Sequence, residues 1–282
     1  MKPQRLAELA APQSLVQAAA SWRCVDFISD LHLQDSQASQ TEAARTFEAW
    51  RCFMQTTPAD AVFILGDLFE VWLGDDVLVH DSPDLVAHRL AHDCVQVLQQ
   101  AAKRCQLFFI HGNRDFLLGT AFAQSSAVRL LADPCVLEWA GARWLLSHGD
   151  ALCLSDHDYM AFRAQVRSSA WQNEFLRQPL AQRQAGARAV RAQSQARQRV
   201  GVYAQVDADL AAQWLRLAQA HTLIHGHTHQ PGQHALPGGL QRVVLSDWDL
   251  AAPVPRADVL RLCRNPGLAA ATLQRINLAK RI

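Results

Sequence analysis

Residues 61–67 read AVFILGD, and residues 107–115 read LFFIHGNRD. In each, an apolar run of strand length stops at a glycine followed by a side chain able to bind metal or phosphate. Runs this short and this continuously apolar suit strands buried on both faces of a sheet. The pattern recurs outward in both directions. Val25 to Ser29 runs into Asp30, Trp144 to Ser147 into His148, and Leu223 to His225 into Gly226 to His229. Helix-like stretches, Thr41 to Gln55 and Asp84 to Arg104, lie between the early runs. Strands alternating with helices predict an α/β fold. Arg242 to Leu245 and Val259 to Leu262 come later, with turn residues and little helix between them, and read as further sheet strands. Polar residues at five strand ends put a site at the carboxyl edge of the sheet, where such folds place their ligands.

The 282-residue chain is half hydrophobic, carries 19% charged residues and has a net charge of +1. It can bury a substantial core, and its composition excludes a disordered or broadly nucleic-acid-like protein. No apolar run reaches the roughly 18 residues of a membrane span. Glu8, Pro12 and Gln13 interrupt the first twenty residues, so residues 1–22 read as a loosely held extension and not as a secretory signal. The remaining 23–282 form one domain. The seven cysteines are scattered without a CxxC pair, which fits small buried thiols in a reducing cytoplasm.

Residues 155–205 break the alternation. Tyr159, Phe162 and Val166 repeat at helical spacing, as do Trp171 and Phe175. Met160 to Gln205 holds eight arginines and a single acidic residue, Glu174, with Pro179 and Gly186 as breaks. The segment reads as a helical insert over the site. The plainer alternative is an amphipathic hairpin with solvated arginines.

The strand ends supply Asp30 and His32, Asp67, Asn113, His148, and His227 and His229. Imidazoles mixed with carboxylates suit first-row divalent ions, and the absence of cysteine argues against a closed structural zinc site. A lone DxH or a lone histidine means little. The ordered series DxH, GD, GN, HGD, GHTH, each piece behind a strand, carries the inference.

In this order the motifs resemble those of calcineurin-like metallophosphoesterases. The resemblance spans Asp30 to His229 and implies a four-layer α/β/β/α sandwich with a helical lid. It implies that Asp30, His32, Asp67 and His229 hold one cation. Asp67, Asn113, His148 and His227 hold the other, with Asp67 bridging. Such a pair of ions activates water and clamps phosphoryl oxygens.

Three longer strings are more specific: Gly66 to Asp76 (GDLFEVWLGDD), His111 to Gly119 (HGNRDFLLG) and Ser147 to Cys153 (SHGDALC). They resemble the UDP-2,3-diacylglucosamine diphosphatase family of the lipid A pathway. That resemblance implies two manganese ions, attack of metal-activated water on the α-phosphorus, and release of UMP and 2,3-diacylglucosamine 1-phosphate. Many relatives in the wider family carry histidine after GN, whereas this chain has Arg114, which cannot donate a proton at neutral pH and instead stabilises phosphoryl charge. Asp67, Asn113 and Arg114 form the expected catalytic set. Asn113, Arg114, Asp156, Tyr159, Phe162, Ser194, Gln198 and His227 form the expected substrate contacts. Gln198 and Gly201 stand where family members carry asparagine and lysine, so the lysine contact is absent or moved to Arg197 or Arg199. Glu70, Asp75 and Asp76 are expected to orient ligands from behind, Asp150 to orient His148, and Asp115 to hold Arg114. The Trp248 loop (SDWD) has no assigned role.

The partners implied are a lipid-linked UDP-sugar and a peripheral contact with the cytoplasmic face of the inner membrane, with no nucleic acid and no obligate protein partner. Two rival readings are a phosphoesterase of soluble nucleotides or dinucleoside polyphosphates, and a non-catalytic scaffold. The scaffold would be expected to lose ligands.

Overall fold

A computed structural model describes residues 14–34, 42–79, 85–188, 205–264 and 271–280. Two six-stranded sheets face each other. One has the order β12-β11-β2-β3-β4-β5, comprising β2 (Cys24–Ile28), β3 (Ala61–Ile64), β4 (Gln106–Ile110), β5 (Arg129–Leu131), β11 (Asp258–Cys263) and β12 (Thr272–Asn277). The other has the order β1-β6-β7-β8-β10-β9. It comprises β1 (Ser14–Gln17), β6 (Cys135–Trp139), β7 (Ala142–Ser147), β8 (Thr222–His225), β9 (Gly232–Ala235) and β10 (Gln241–Val244). β2 through β5 run parallel, as do β7, β8 and β10.

The continuous apolar runs follow from burial on both faces. Phe27, Phe63 and Phe108 point between the sheets with Leu137, Leu146, Ile224 and Val243. Phe63 stacks on Phe27 and Phe108 at ring-centre distances of 5.4 and 4.5 Å. The alternate residues Ile28, Val62, Ile64, Leu107 and Phe109 point outward. There α1 (Glu42–Thr56) and α2 (Leu85–Ala102) cover them with Trp50, Met54, Cys94 and Leu98. On the far side, α6 (Ala208–Ala218) lays Leu210, Trp214 and Leu215 over Val136, Leu145 and Leu223. The layering is helix, sheet, sheet, helix, as the motif order implies. Helices α3 (Thr120–Ser126), α4 (His157–Val166) and α5 (Ser169–Arg177) complete the described set with a helical stretch at 180–188.

Two expectations are corrected. Residues 14–17 are not loose: β1 pairs in register with β6, and Val16 and Trp22 are buried between the sheets. An edge strand needs only one face against the core, and β1 meets that with Val16 alone buried among its four residues. The cysteines are not all free thiols either. Cys24 and Cys263 form a disulfide between directly opposed residues of β2 and β11, with a Cα–Cα distance of 4.4 Å. Their 239-residue separation hid the pairing from any spacing argument. Cys52 is exposed, whereas Cys94, Cys105, Cys135 and Cys153 are buried.

Candidate metal centre and lid cavity

The seven expected ligands converge at the carboxyl ends of β2, β3, β4, β7 and β8. His32 Nε2 lies 3.4 Å from His229 Nε2 and 3.9 Å from Asp67 Oδ2. His229 Nε2 lies 3.3 Å from Asp30 Oδ1. On the other side of Asp67, His148 Nε2 is 3.7 Å from Asp67 Oδ2 and 3.0 Å from Asn113 Oδ1. His227 Nδ1 is 2.8 Å from the same Asn113 oxygen. Asp67 thus sits between two groups of donors, as a bridging ligand must.

The backbone bends sharply to aim these side chains. Asp30, His32, Asp67, His227 and His229 all adopt positive φ, between 49° and 66°. Non-glycine residues rarely occupy this region, and its cost is tolerated where geometry serves function. Neighbouring glycines make room. A Cβ on Gly112 would overlap the Asp67 carboxylate and backbone, and one on Gly226 would overlap the Asp30 carboxylate.

Supporting contacts fix the imidazoles. His32 Nδ1 lies 2.9 Å from Glu70 Oε2, and His148 Nδ1 donates to the Leu65 carbonyl at 2.8 Å. His229 Nδ1 faces Asp247 Oδ2 at 3.8 Å. A carboxylate or carbonyl behind each of these three rings presents the opposite nitrogen to the centre. Glu70 therefore stands where the sequence reading put it.

Asp30 and Asp67 are 0% and 2% exposed, and among the described residues no lysine or arginine pairs with either carboxylate. Buried charge without a fixed counter-charge is costly, so the pocket calls for cations. Burial opposes ionisation of Asp30, but His229, His148 and His32 hold its carboxyl well below the usual range. Burial likewise opposes charge on His148, yet Asp67, Asp30 and Asp150 raise its imidazole to about 9. Burial and the charge of His148 push His227 down to about 3. This donor set fits divalent metal on its chemistry alone.

Several assignments change. Asp115 does not hold the Arg114 side chain. Its carboxylate accepts from Gly112 N and Leu68 N, both at 2.8 Å, tying the Asn113 loop to the Asp67 loop. Burial and the nearby Asp67 charge raise Asp115 to about 7. The Arg114 backbone N–H donates to Asp67 Oδ1 at 2.8 Å, while its buried Nε has no hydrogen-bond partner among the described residues. Asp75 caps α3 through Gly119 N and Phe122 N at 2.9 and 3.0 Å, and Asp76 pairs with Arg183. Both carboxylates are engaged by these groups and not by a ligand side chain in any described contact. Asp150 is the anchor of the lid: it accepts from Tyr159 Oη at 2.5 Å and Arg163 Nε at 2.8 Å. The Trp248 loop, unassigned from sequence, supports the centre. Trp248 N donates to the Asp30 carbonyl, and Asp247 faces His229 while paired with Arg256.

A cavity of about 470 Å³ opens beside Asn113 and Arg114. Phe69, Trp72 and Leu117 line its floor, and Phe162, Trp171, Phe175 and Leu180 its lid. Tyr159 stacks on His227 at 6.0 Å between ring centres, and Asp156 caps α4 by accepting from Tyr159 N at 3.0 Å. Ser194, Gln198, Gly201, Arg197 and Arg199 lie outside the described residues. Sequence reasoning missed Arg183 of the lid, which is 1% exposed and binds Asp76 and the carbonyls of Leu73 and Gln178. Its only signal was one arginine among eight.

Residues 25–231 match the calcineurin-like phosphoesterase family, and the chain belongs to it. Relatives narrow the comparison. The chain is 43% identical over 245 residues to a UDP-2,3-diacylglucosamine hydrolase of Stenotrophomonas maltophilia, covering 82% of this chain and 94% of the relative. A protein of the same name from Chromobacterium violaceum is 43% identical over 228 residues, covering 79% and 90%. Among solved structures, wild-type Vps29 of Entamoeba histolytica complexed with zinc aligns over 90% of this chain and 99% of that one, at 13% identity and a TM-score of 0.43.

Proposed function

We propose that the protein hydrolyses UDP-2,3-diacylglucosamine at the α-phosphorus, giving UMP and 2,3-diacylglucosamine 1-phosphate in lipid A biosynthesis. One observation carries this reading: the seven-donor centre opens, at Asn113 and Arg114, directly onto an apolar cavity under a helical lid. A diphosphate flanked by acyl chains matches that union of charge and grease. The names of the relatives support the same substrate.

Asp30, His32, Asp67 and His229 would hold one divalent ion, and Asp67, Asn113, His148 and His227 a second, with manganese as the metal. Such a pair lowers the pKa of a bound water and offsets the charge of the phosphoryl oxygens. The chain's own groups do the rest. Hydrolysis would join the water oxygen to the α-phosphorus as the bond from that phosphorus to the bridging oxygen breaks, with the water's proton passing to solvent. The departing sugar phosphate needs little proton assistance, since a phosphate monoester is a tolerable leaving group. Arg114, whose Nε has no partner among the described residues, supplies charge-assisted hydrogen bonds to the phosphoryl oxygens as their charge grows. Asn113 and His227 border the reacting phosphate, and Asp156, Tyr159, Phe162, Ser194 and Gln198 contact the rest of the substrate.

The exposed Arg177 and Arg188 of the lid, with the exposed Val71, Val79 and Leu176, suit a peripheral contact with an anionic membrane on its cytoplasmic face. No described helix is long and apolar enough to cross one.

The deciding assay supplies defined UDP-2,3-diacylglucosamine with manganese and follows UMP. Release of UMP, its loss on chelation and its return with manganese are expected. Asp67→Ala should lower turnover by more than roughly 10³-fold, because it strips both ion sites at once. Cleavage of soluble dinucleotides with the lipid left intact would replace this reading with the nucleotide phosphoesterase.

A further inference from the structure

Arg167 caps the carboxyl end of α4 in the lid, yet it reaches into the metal loop. Its Nη2 donates to the Gly112 carbonyl at 2.8 Å and stands 3.7 Å from Asp150 Oδ2. The Gly112 N–H is held by Asp115 of the sandwich. Gly112 is therefore gripped at its N–H by the body and at its carbonyl, in the peptide that leads into Asn113, by the lid. Asn113 offers its oxygen to His148 and His227 alike, so a small tilt of that peptide moves a shared donor.

The same guanidinium lies over the Phe116 ring, 5.3 Å from its centre. Phe116 packs on Trp171 at 6.2 Å, and Trp171 stacks on Phe175 at 4.6 Å. All three rings line the cavity. A continuous set of contacts thus runs from the cavity wall through Phe116 and Arg167 to Gly112. Filling the cavity presses on the aromatic wall that seats the arginine, and the arginine fixes the loop that presents Asn113 and Arg114.

We propose that Arg167 is a positioning residue that makes turnover at the metal centre depend on occupancy of the lid cavity. The proposal rests on the lipid-substrate reading above. It differs from that reading by assigning the acyl chains an effect on kcat as well as on affinity.

The test compares UDP-2,3-diacylglucosamine with its deacylated counterpart in detergent micelles at saturating manganese, for the unaltered protein, Arg167→Met and Arg167→Lys. Acyl chains should raise kcat in the unaltered protein, and Arg167→Met should cut that gain about tenfold. KM for the lipid should stay within about twofold, because the cavity itself is untouched. Arg167→Lys, which keeps a donor and a cation, should recover part of the gain. Bound manganese per chain should not change, and the melting temperature should fall by only a few degrees, the scale for losing one charge-assisted hydrogen bond.

An unaltered protein whose turnover ignores the acyl chains overturns the proposal. So does an equal fall on both substrates, a rise in KM alone, or loss of bound manganese from Arg167→Met. If the unaltered protein cleaves bis(p-nitrophenyl) phosphate but neither UDP-sugar, the lipid reading itself fails and takes this proposal with it.

Discussion

The donor ring and the lid meet at Asn113 and Arg114, but they are held in opposite ways. The ring is set by backbone: five loops, each clamped behind a buried strand, with five ligand residues at positive φ and glycines packed against carboxylates. The lid is set by long side chains: Arg163 and Tyr159 on Asp150, Arg167 on Gly112, Arg183 on Asp76. Backbone geometry cannot slip without losing the sheet. Arginine arms can release and re-form. The difference separates a rigid centre, where cations would find fixed donors, from a cover able to open, as the proposed lipid substrate would require.

The sharpest way to break the comparison is to disturb the ring by one methyl group. Gly112→Ala would drive a Cβ into the Asp67 carboxylate and backbone, where neither a strand end nor a bridging ligand can retreat. Metal content should drop, and turnover should fall by roughly 10³-fold, comparable to losing a catalytic group outright. Metal analysis beside kinetics checks it. Full metal content with normal turnover would mean that the ring yields as easily as the lid.

Arg114→Ala comes next. It deletes the guanidinium but keeps the backbone N–H that Asp67 accepts, so the ring should stay loaded. Turnover should fall on the order of 10²-fold, the scale for removing one donor that acts on developing charge. Loss of metal with an unchanged rate per bound ion would make Arg114 part of the ring and not of the chemistry.

This contrast also explains what the sequence could say. The ring was legible because each ligand sits at a fixed offset from a strand end, and a strand buried on both faces announces itself as an uninterrupted apolar run. Ala61 to Ile64 and Leu107 to Ile110 are such runs. β1, β9 and β12 are edge strands with at least one half-exposed face, so they lack that signature. The lid's latches were illegible for a different reason. A guanidinium reaches over several residues in any direction, and nothing in the order of eight arginines marks Arg183 as buried. The carboxylates behaved similarly: Asp75, Asp76, Asp115 and Asp150 all sit beside motif residues, yet each is spent on a cap, a loop or the lid. The Cys24–Cys263 pair is the extreme case, joined across β2 and β11 from opposite ends of the chain.

Arg183→Ala tests the latch. The lid should loosen, since the substitution removes charged hydrogen bonds to Asp76 and to two carbonyls. Such bonds contribute about 1.5–3 kcal/mol each when buried, and half-exposure of Asp76 reduces the pair's share to the low end. KM for the lipid should rise about tenfold, equivalent to about 1.4 kcal/mol, with small phosphodiesters hydrolysed at the original rate. Equal losses on both substrates would show that the latch also holds the ring.

The smallest effect belongs to Gly186→Ala in the helical stretch 180–188. An added Cβ there meets nothing within 4 Å, in direct contrast to Gly112. Alanine is favoured over glycine in a helix by about 0.8–1.0 kcal/mol, through lower backbone entropy in the unfolded chain. The melting temperature should therefore rise by a few degrees, roughly 2–4 °C per kcal/mol for a chain of this size class. Turnover of the lipid should stay within about twofold, as expected for a mutation away from fixed contacts. A lower melting temperature would mean that residue 186 is not in open helical backbone. The lid would then be locked by backbone as tightly as the ring, and the proposed division between a fixed centre and a movable cover would fail.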